Sequence, residues 1–198
     1  MIIKLKYCLD YFFALILCLV LFLPLLILTA VLAIYYKGNP IFKTNRQGLH
    51  GKAFRLYKFK SMKELYDDNG NLLPDEQRLT RVGSILRQTS IDELPQLINI
   101  LKGNMSFIGP RPLLLEYYEF YTGEEKKRLN MKPGITGWAQ VNGRNGIDWK
   151  KKFKMDIVYV TKYSLLFDLK IILLTIKVII KKEGVSQDGF VSAERYRG

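Results

Sequence analysis

The chain has 198 residues, enough for one catalytic or binding core once a long apolar N-terminal segment is set aside. A formal charge of +13 selects anionic partners: nucleic acid, membrane lipid or phosphorylated substrates. A single His50 and two cysteines, Cys8 and Cys18, cannot assemble a Cys/His zinc site, so any metal must rest on hard oxygen ligands, which points to Mg²⁺. On one helix the two cysteines would stand about 15 Å apart, too far for a disulfide.

From Tyr11 to Tyr36 no residue is charged, and Leu, Ile, Phe and Val dominate. Such a run is long enough for a bilayer core of ~30 Å and too long for a signal-peptide core, and no small-residue cleavage site follows it. Lys4 and Lys6 precede it, and Lys37, Lys43, Arg46, Lys52, Arg55, Lys58 and Lys60 follow without an intervening acid, so both flanks read as cytoplasmic. Pro24, near the middle, breaks the hydrogen-bond ladder, which allows either a re-entrant helix over residues 1–37 or a kinked single span.

Residues 38–198 then form the globular part. Ala53 to Lys60 reads as a strand, Asp67 to Asp75 as a loop, and Asp75 to Gln88 as a helix. Ser90-Ile91-Asp92-Glu93-Leu94-Pro95-Gln96 has Ser and Glu at capping-box spacing before an apolar helical run to Leu101. A second register makes Asp92 the N-cap and places Pro95 in the first turn. Acids at a helix start need no catalytic role, yet a carboxylate there also suits a phosphate site, as nucleophile or Mg²⁺ ligand.

Gly109-Pro110-Arg111-Pro112 holds Arg111 between two stiff residues and presents its guanidinium at low entropic cost, as phosphate binding or a rigid surface turn would use it. Lys132 to Asn145 carries three glycines and reads as irregular; its glycines would let backbone N–H groups approach phosphate, with Arg144 closing the cradle. A helix resumes near Trp149, where Asp156 sits four residues after Lys152. Ser164 to Lys182 repeats Lys170, Lys177 and Lys181 among Leu, Ile and Val, the pattern of an amphipathic interfacial helix or of a core helix with snorkelling lysines. No dinucleotide-binding glycine motif, Walker loop, H-E-x-x-H or G-x-S-x-G occurs.

Four motifs in order carry a resemblance: Tyr57-Lys58-Phe59-Lys60-Ser61-Met62; Ser90 to Gln96; Met105-Ser106-Phe107-Ile108-Gly109-Pro110-Arg111-Pro112; and Lys132-Pro133-Gly134-Ile135-Thr136-Gly137. Together they resemble the bacterial sugar transferases, the monotopic phosphoglycosyl transferases, and most closely the small undecaprenyl phosphate N,N'-diacetylbacillosamine 1-phosphate transferase type. Leu23, Gln47 and Asn104 depart from the family pattern, Leu23 where a Ser usually precedes the break-point proline.

The resemblance implies an α+β, helix-rich fold: a re-entrant membrane helix, a small catalytic domain with short strands, and interfacial helices. It implies transfer of a sugar 1-phosphate from a UDP-sugar to undecaprenyl phosphate, releasing UMP, at the cytoplasmic face of the bacterial inner membrane. Asp92 becomes the nucleophile, with Glu93 assisting it and the pair serving Mg²⁺. Lys58 and Asp156 match positions important for activity, and Arg111 and Arg144 match positions that face phosphate. The expected partners are UDP-sugar, undecaprenyl phosphate and membrane lipids, with a homodimer allowed for and no nucleic acid. Two alternatives compete: one-step transfer without a covalent intermediate, and a non-enzymatic, membrane-tethered basic adaptor.

Overall fold

A computed structural model describes residues 2–143, 147–181 and Tyr196. The protein is helix-rich with short strands, an α+β architecture. Two helices open the chain, α1 (Ile2–Val20) and α2 (Phe22–Tyr35), bent by 65° across Leu21. The bend has a local cause. Pro24 is the third residue of α2, where it has no N–H to give to Val20 and its ring crowds that carbonyl, so α1 stops there. Leu25 resumes the ladder by donating to the Leu21 carbonyl at 2.8 Å. No single described helix is long and apolar enough to cross a membrane; the bent pair meets that length and composition only together.

An antiparallel hairpin follows, β1 (Ile41–Gln47) against β2 (Ala53–Phe59), with Phe42 opposite Lys58. The sequence signalled β2 alone, because β1 mixes polar and apolar residues without strict alternation. The helix expected from Asp75 to Gln88 is two helices, α3 (Asp75–Arg78) and α4 (Arg81–Gln88). Thr80 interrupts it, its hydroxyl accepting from the Gly83 amide at 2.8 Å as the N-cap of α4. Next come a 3₁₀ turn (Ile91–Gln96), α5 (Leu97–Leu101) and β3 (Ser106–Ile108). Two further 3₁₀ turns, Leu115–Phe120 and Glu125–Asn130, lead to β4 (Gly134–Thr136) and α6 (Trp138–Val141). The segment read as irregular therefore holds a strand and a helical turn. The last helices are α7 (Trp149–Thr161), N-capped by Asp148, and α8 (Leu165–Lys181).

Both arms of the bent pair pack on the body. Ala14 of α1 joins Phe54, Leu56, Leu97, Ile100 and Met105 in one apolar cluster. Leu32 of α2 joins Phe59 and Leu86 in another, with Ile91 packed against it. The 3₁₀ turn between Ile91 and Leu97 is thereby anchored at one end to the α2 cluster and at the other to the α1 cluster.

A buried polar seam docks α1. The Lys6 ammonium, 2% exposed, donates to Asp168 Oδ2 of α8 at 2.8 Å, and Ser106 Oγ lies 2.6 Å from Asp10 Oδ2. The Tyr159 hydroxyl lies 2.7 Å from Asp168 Oδ1. Lys6, read as part of the basic flank of the apolar run, is thus an internal cation, and Lys4 is left to flank the run.

Candidate active site

Asp92 stands on the 3₁₀ turn that follows α4. That helix ends at Thr89, and Ser90 enters the left-handed region at φ 57°, its amide bonding the Arg87 carbonyl at 3.2 Å. Ser90 serves as the reversing residue after α4. Its side chain makes no cap, and Glu93 meets it only through an amide bond to its carbonyl, so the expected capping box does not form. The run expected as one helix to Leu101 divides at Leu97, because Pro95 lies inside it and tightens the preceding residues.

The turn is fastened opposite Lys58 by Asn99, which is fully buried on α5. Its amide donates to the Arg55 carbonyl at 2.7 Å and its oxygen accepts from the Tyr57 amide at 3.1 Å. One side chain thus replaces a missing strand neighbour of β2 on the stretch leading to Lys58.

Lys58 Nζ reaches Glu93 Oε1 at 2.5 Å and Asp92 Oδ2 at 3.9 Å. Arg111 Nη1 approaches the same Glu93 oxygen at 3.7 Å while its side chain stays half exposed. Asp92 is buried, 7% exposed. Burial pushes its carboxyl above the usual range; Lys58 opposes that, adjacent Glu93 reinforces it, and Arg87 and Arg111 oppose it further. Arg87, held by a bond from its Nε to Ser61 Oγ at 2.9 Å, is lowered by burial and raised by the Asp92 charge.

Two more cations border Arg111. Burial lowers both Arg46 on β1 and Lys152 on α7, and the Arg111 charge lowers each further. Three basic groups, Lys58, Arg87 and Arg111, therefore face the Asp92–Glu93 pair, with Arg46 and Lys152 standing near Arg111. The surplus of positive charge suits a polyanion such as a diphosphate. Lys58 and Arg111 meet one Glu93 oxygen, and Asp92 and Glu93 together bring hard carboxylate donors. Mg²⁺, which takes one or two carboxylates together with substrate phosphates and water, fits that donor set.

Two of the glycines expected to cradle phosphate, Gly134 and Gly137, pack against backbone. A Cβ on Gly134 would stand 2.1 Å from the Gly109 nitrogen, and one on Gly137 would stand 2.1 Å from the Gly109 oxygen. The Gly109 amide bonds the Thr136 carbonyl at 2.9 Å and the Gly134 amide bonds the Pro110 carbonyl at 3.0 Å. The Gly-Pro-Arg-Pro and Pro-Gly-Ile-Thr-Gly motifs interlock with each other, and these N–H groups are spent inside the protein, not offered to phosphate.

Of the residues singled out from sequence, Asp92, Glu93, Lys58 and Arg111 converge. Asp156 does not join them. It is buried on α7, where it accepts from Arg128 Nε and Nη2 at 3.0 and 2.8 Å instead of pairing with Lys152. Burial raises its carboxyl and Arg128 opposes the rise. Arg144 lies outside the described residues. Sequence reasoning missed Arg87, Arg128, Asn99 and Lys152, since each is an unremarkable helix or turn residue until the chain folds. Arg87 alone carried a hint, standing five residues before Asp92.

The family model described as bacterial sugar transferase matches residues 2–182. A sugar transferase of Bacillus subtilis, EpsL, is 54% identical over 162 residues, 81% of this chain and 80% of its own. The UDP-glucose:undecaprenyl-phosphate glucose-1-phosphate transferase of Xanthomonas campestris is 41% identical over 165 residues, 77% of this chain and 34% of its own. The undecaprenyl-phosphate galactose phosphotransferase of Salmonella typhimurium is 39% identical over 184 residues, 81% of this chain and 39% of its own. The chain therefore spans most of the first relative and little more than a third of the other two. With Lys58, the Asp92–Glu93 pair and Arg111 of three of the motifs brought together, and with the family model matched along nearly the whole length, this chain belongs to the bacterial sugar transferases.

Proposed function

We propose that the protein moves a sugar 1-phosphate from a UDP-sugar to undecaprenyl phosphate, releasing UMP, through a covalent intermediate on Asp92. One observation carries the reading: a buried carboxylate held among Lys58, Arg87 and Arg111, with more cations than acids around it. The names of the relatives from Xanthomonas campestris and Salmonella typhimurium supply the substrate classes.

In the first step an Asp92 oxygen attacks the β-phosphorus, the bond from that phosphorus to the oxygen bridging the two phosphates breaks, and UMP leaves. In the second, an oxygen of the lipid phosphate attacks the same phosphorus and the Asp92 carboxylate departs, leaving a lipid diphosphate sugar. Arg111 and Lys58 hold phosphate oxygens, and Glu93 holds Lys58 near Asp92. Asp92 and Glu93 would carry Mg²⁺, which when bound offsets the charge developing on the phosphates. The bent helix pair, Ile2–Val20 and Phe22–Tyr35, lies re-entrant in the inner membrane from the cytoplasmic side, and α8 lies in the interface with Leu166, Leu173 and Ile180 toward lipid; all three are exposed. Residues 38–198 form the cytoplasmic catalytic domain.

Purified protein mixed with Mg²⁺ and each member of a panel of UDP-sugars, without lipid, should with its cognate donor release a burst of UMP near stoichiometric with active sites. Rapid acid quenching should show a matching mass gain on the Asp92 peptide. Enzyme that turns over normally once undecaprenyl phosphate is supplied, yet shows no burst beforehand, would establish one-step transfer and remove the covalent role of Asp92.

A further inference from the structure

We propose that Arg128 is a positioning residue for Arg111, setting the phosphate-binding guanidinium through the Arg111 main chain, with Asp156 acting only through Arg128. The inference rests on the reading of Arg111 as a phosphate ligand.

Arg128 stands on the 3₁₀ turn Glu125–Asn130 and is 1% exposed. Its Nε and Nη2 converge on Asp156 Oδ2, and the same Nη2 donates to the Arg111 carbonyl at 2.6 Å. Nη1 lies 3.4 Å from the Tyr121 hydroxyl, and the Phe153 ring covers the guanidinium at 5.6 Å. Burying such a pair is costly, and apolar side chains of similar volume would fill the space without that cost. What they could not supply is a donor to the Arg111 carbonyl.

The neighbouring backbone explains why that donor matters. Pro110 and Pro112 flank Arg111 and have no N–H, so neither can hold the segment by donating. The surrounding segment is gripped through its carbonyls instead. The Gly134 amide takes Pro110, Arg128 takes Arg111, and Gln47 takes Leu113 through its amide at 3.0 Å and Leu114 through its side chain at 2.6 Å. Arg111 itself is held by Arg128, and its side chain reaches out to within 3.7 Å of Glu93 from that point. A rigid guanidinium fork can bind Asp156 and the carbonyl together; a lysine ammonium keeps the charge but not the fixed angle between the two bonds. Displacing a positioned phosphate ligand by about 1 Å is enough to lose much of its effect.

The test is a double-mutant cycle in the full chain, reading kcat/KM for the UDP-sugar at fixed undecaprenyl phosphate and Mg²⁺. Arg128→Lys should lower kcat/KM roughly ten-fold. In an Arg111→Gln background the same change should cost less than roughly two-fold, because the group it positions is gone. A merely structural Arg128 would lower both backgrounds by the same factor, and that multiplicative result would overturn the proposal, as would full activity in Arg128→Lys alone. Should Arg128→Lys not fold, Asp156→Asn enters the same cycle, keeping the shape and one acceptor while weakening the hold on Arg128, with the same two outcomes. Unchanged kcat/KM in Arg111→Gln would refute the phosphate-ligand reading and this inference with it. A damaging Arg111→Gln with a multiplicative cycle would remove the positioning role alone.

Discussion

At the scale of single residues, Asp92 is tuned by opposing forces. Its folded carboxyl is raised by burial and lowered by Lys58, so it ionises above the ordinary carboxylate value, and in the proposed covalent mechanism it must lose its proton before it attacks. Activity should therefore rise with pH through that raised value on the acid side. Replacing the cation in Lys58→Ala removes the largest influence favouring the charged form, so the acid limb of kcat/KM should move to higher pH. A limb that stays in place, or moves down, would mean that another group governs it. The motifs made Asp92 visible in the sequence, but the direction of its shift was not, because it is set by burial, which comes only when distant segments close over the turn.

Among the elements, docking of α1 onto α8 is the least expected feature. Lys6, Asp10 and Ala14 are buried at four-residue spacing, so one stripe of a helix that reads as apolar is charged. Lys6 stands between Asp10 Oδ2 at 3.8 Å and Asp168 Oδ2 at 2.8 Å. Lys6→Met would leave two buried carboxylates without their cation and should cost roughly 3–5 kcal/mol. Thermal unfolding of the detergent-solubilised protein would register it as a large fall in midpoint. An unchanged midpoint would show that solvent reaches the seam and that α1 is not locked there.

For the whole molecule, apolar exposure among the described residues is concentrated on α1, α2 and α8, while the basic site is built from β2, α4, the Asp92 turn and the Gly-Pro-Arg-Pro segment. In the proposed membrane placement that division would set the apolar faces on the bilayer and the basic site near the headgroups, where anionic lipid attracts basic surface. Cysteines placed singly by Lys4→Cys and Lys43→Cys, with Cys8 and Cys18 replaced by alanine, should react with an impermeant maleimide from the same cytoplasmic side. Labelling from opposite sides would rule out the re-entrant arrangement and make the bent pair a span.

The sequence by itself determined which residues are candidates for the chemistry and which elements have strong local causes. The helix break at Pro24 follows from a missing donor, and the β2 strand and the helix after Asp148 follow from side-chain pattern and capping. The Asp-Glu pair and Arg111 were legible because their motifs are local and ordered. Other outcomes were decided only when distant segments met. Ser90 turned from a cap into a left-handed reversal, the motif glycines proved to fit backbone against backbone, and Asp156 left the site for Arg128. Lys6 entered the interior for the same reason. Each depends on a partner far along the chain, and periodicity or propensity reports only the neighbours within a turn or two.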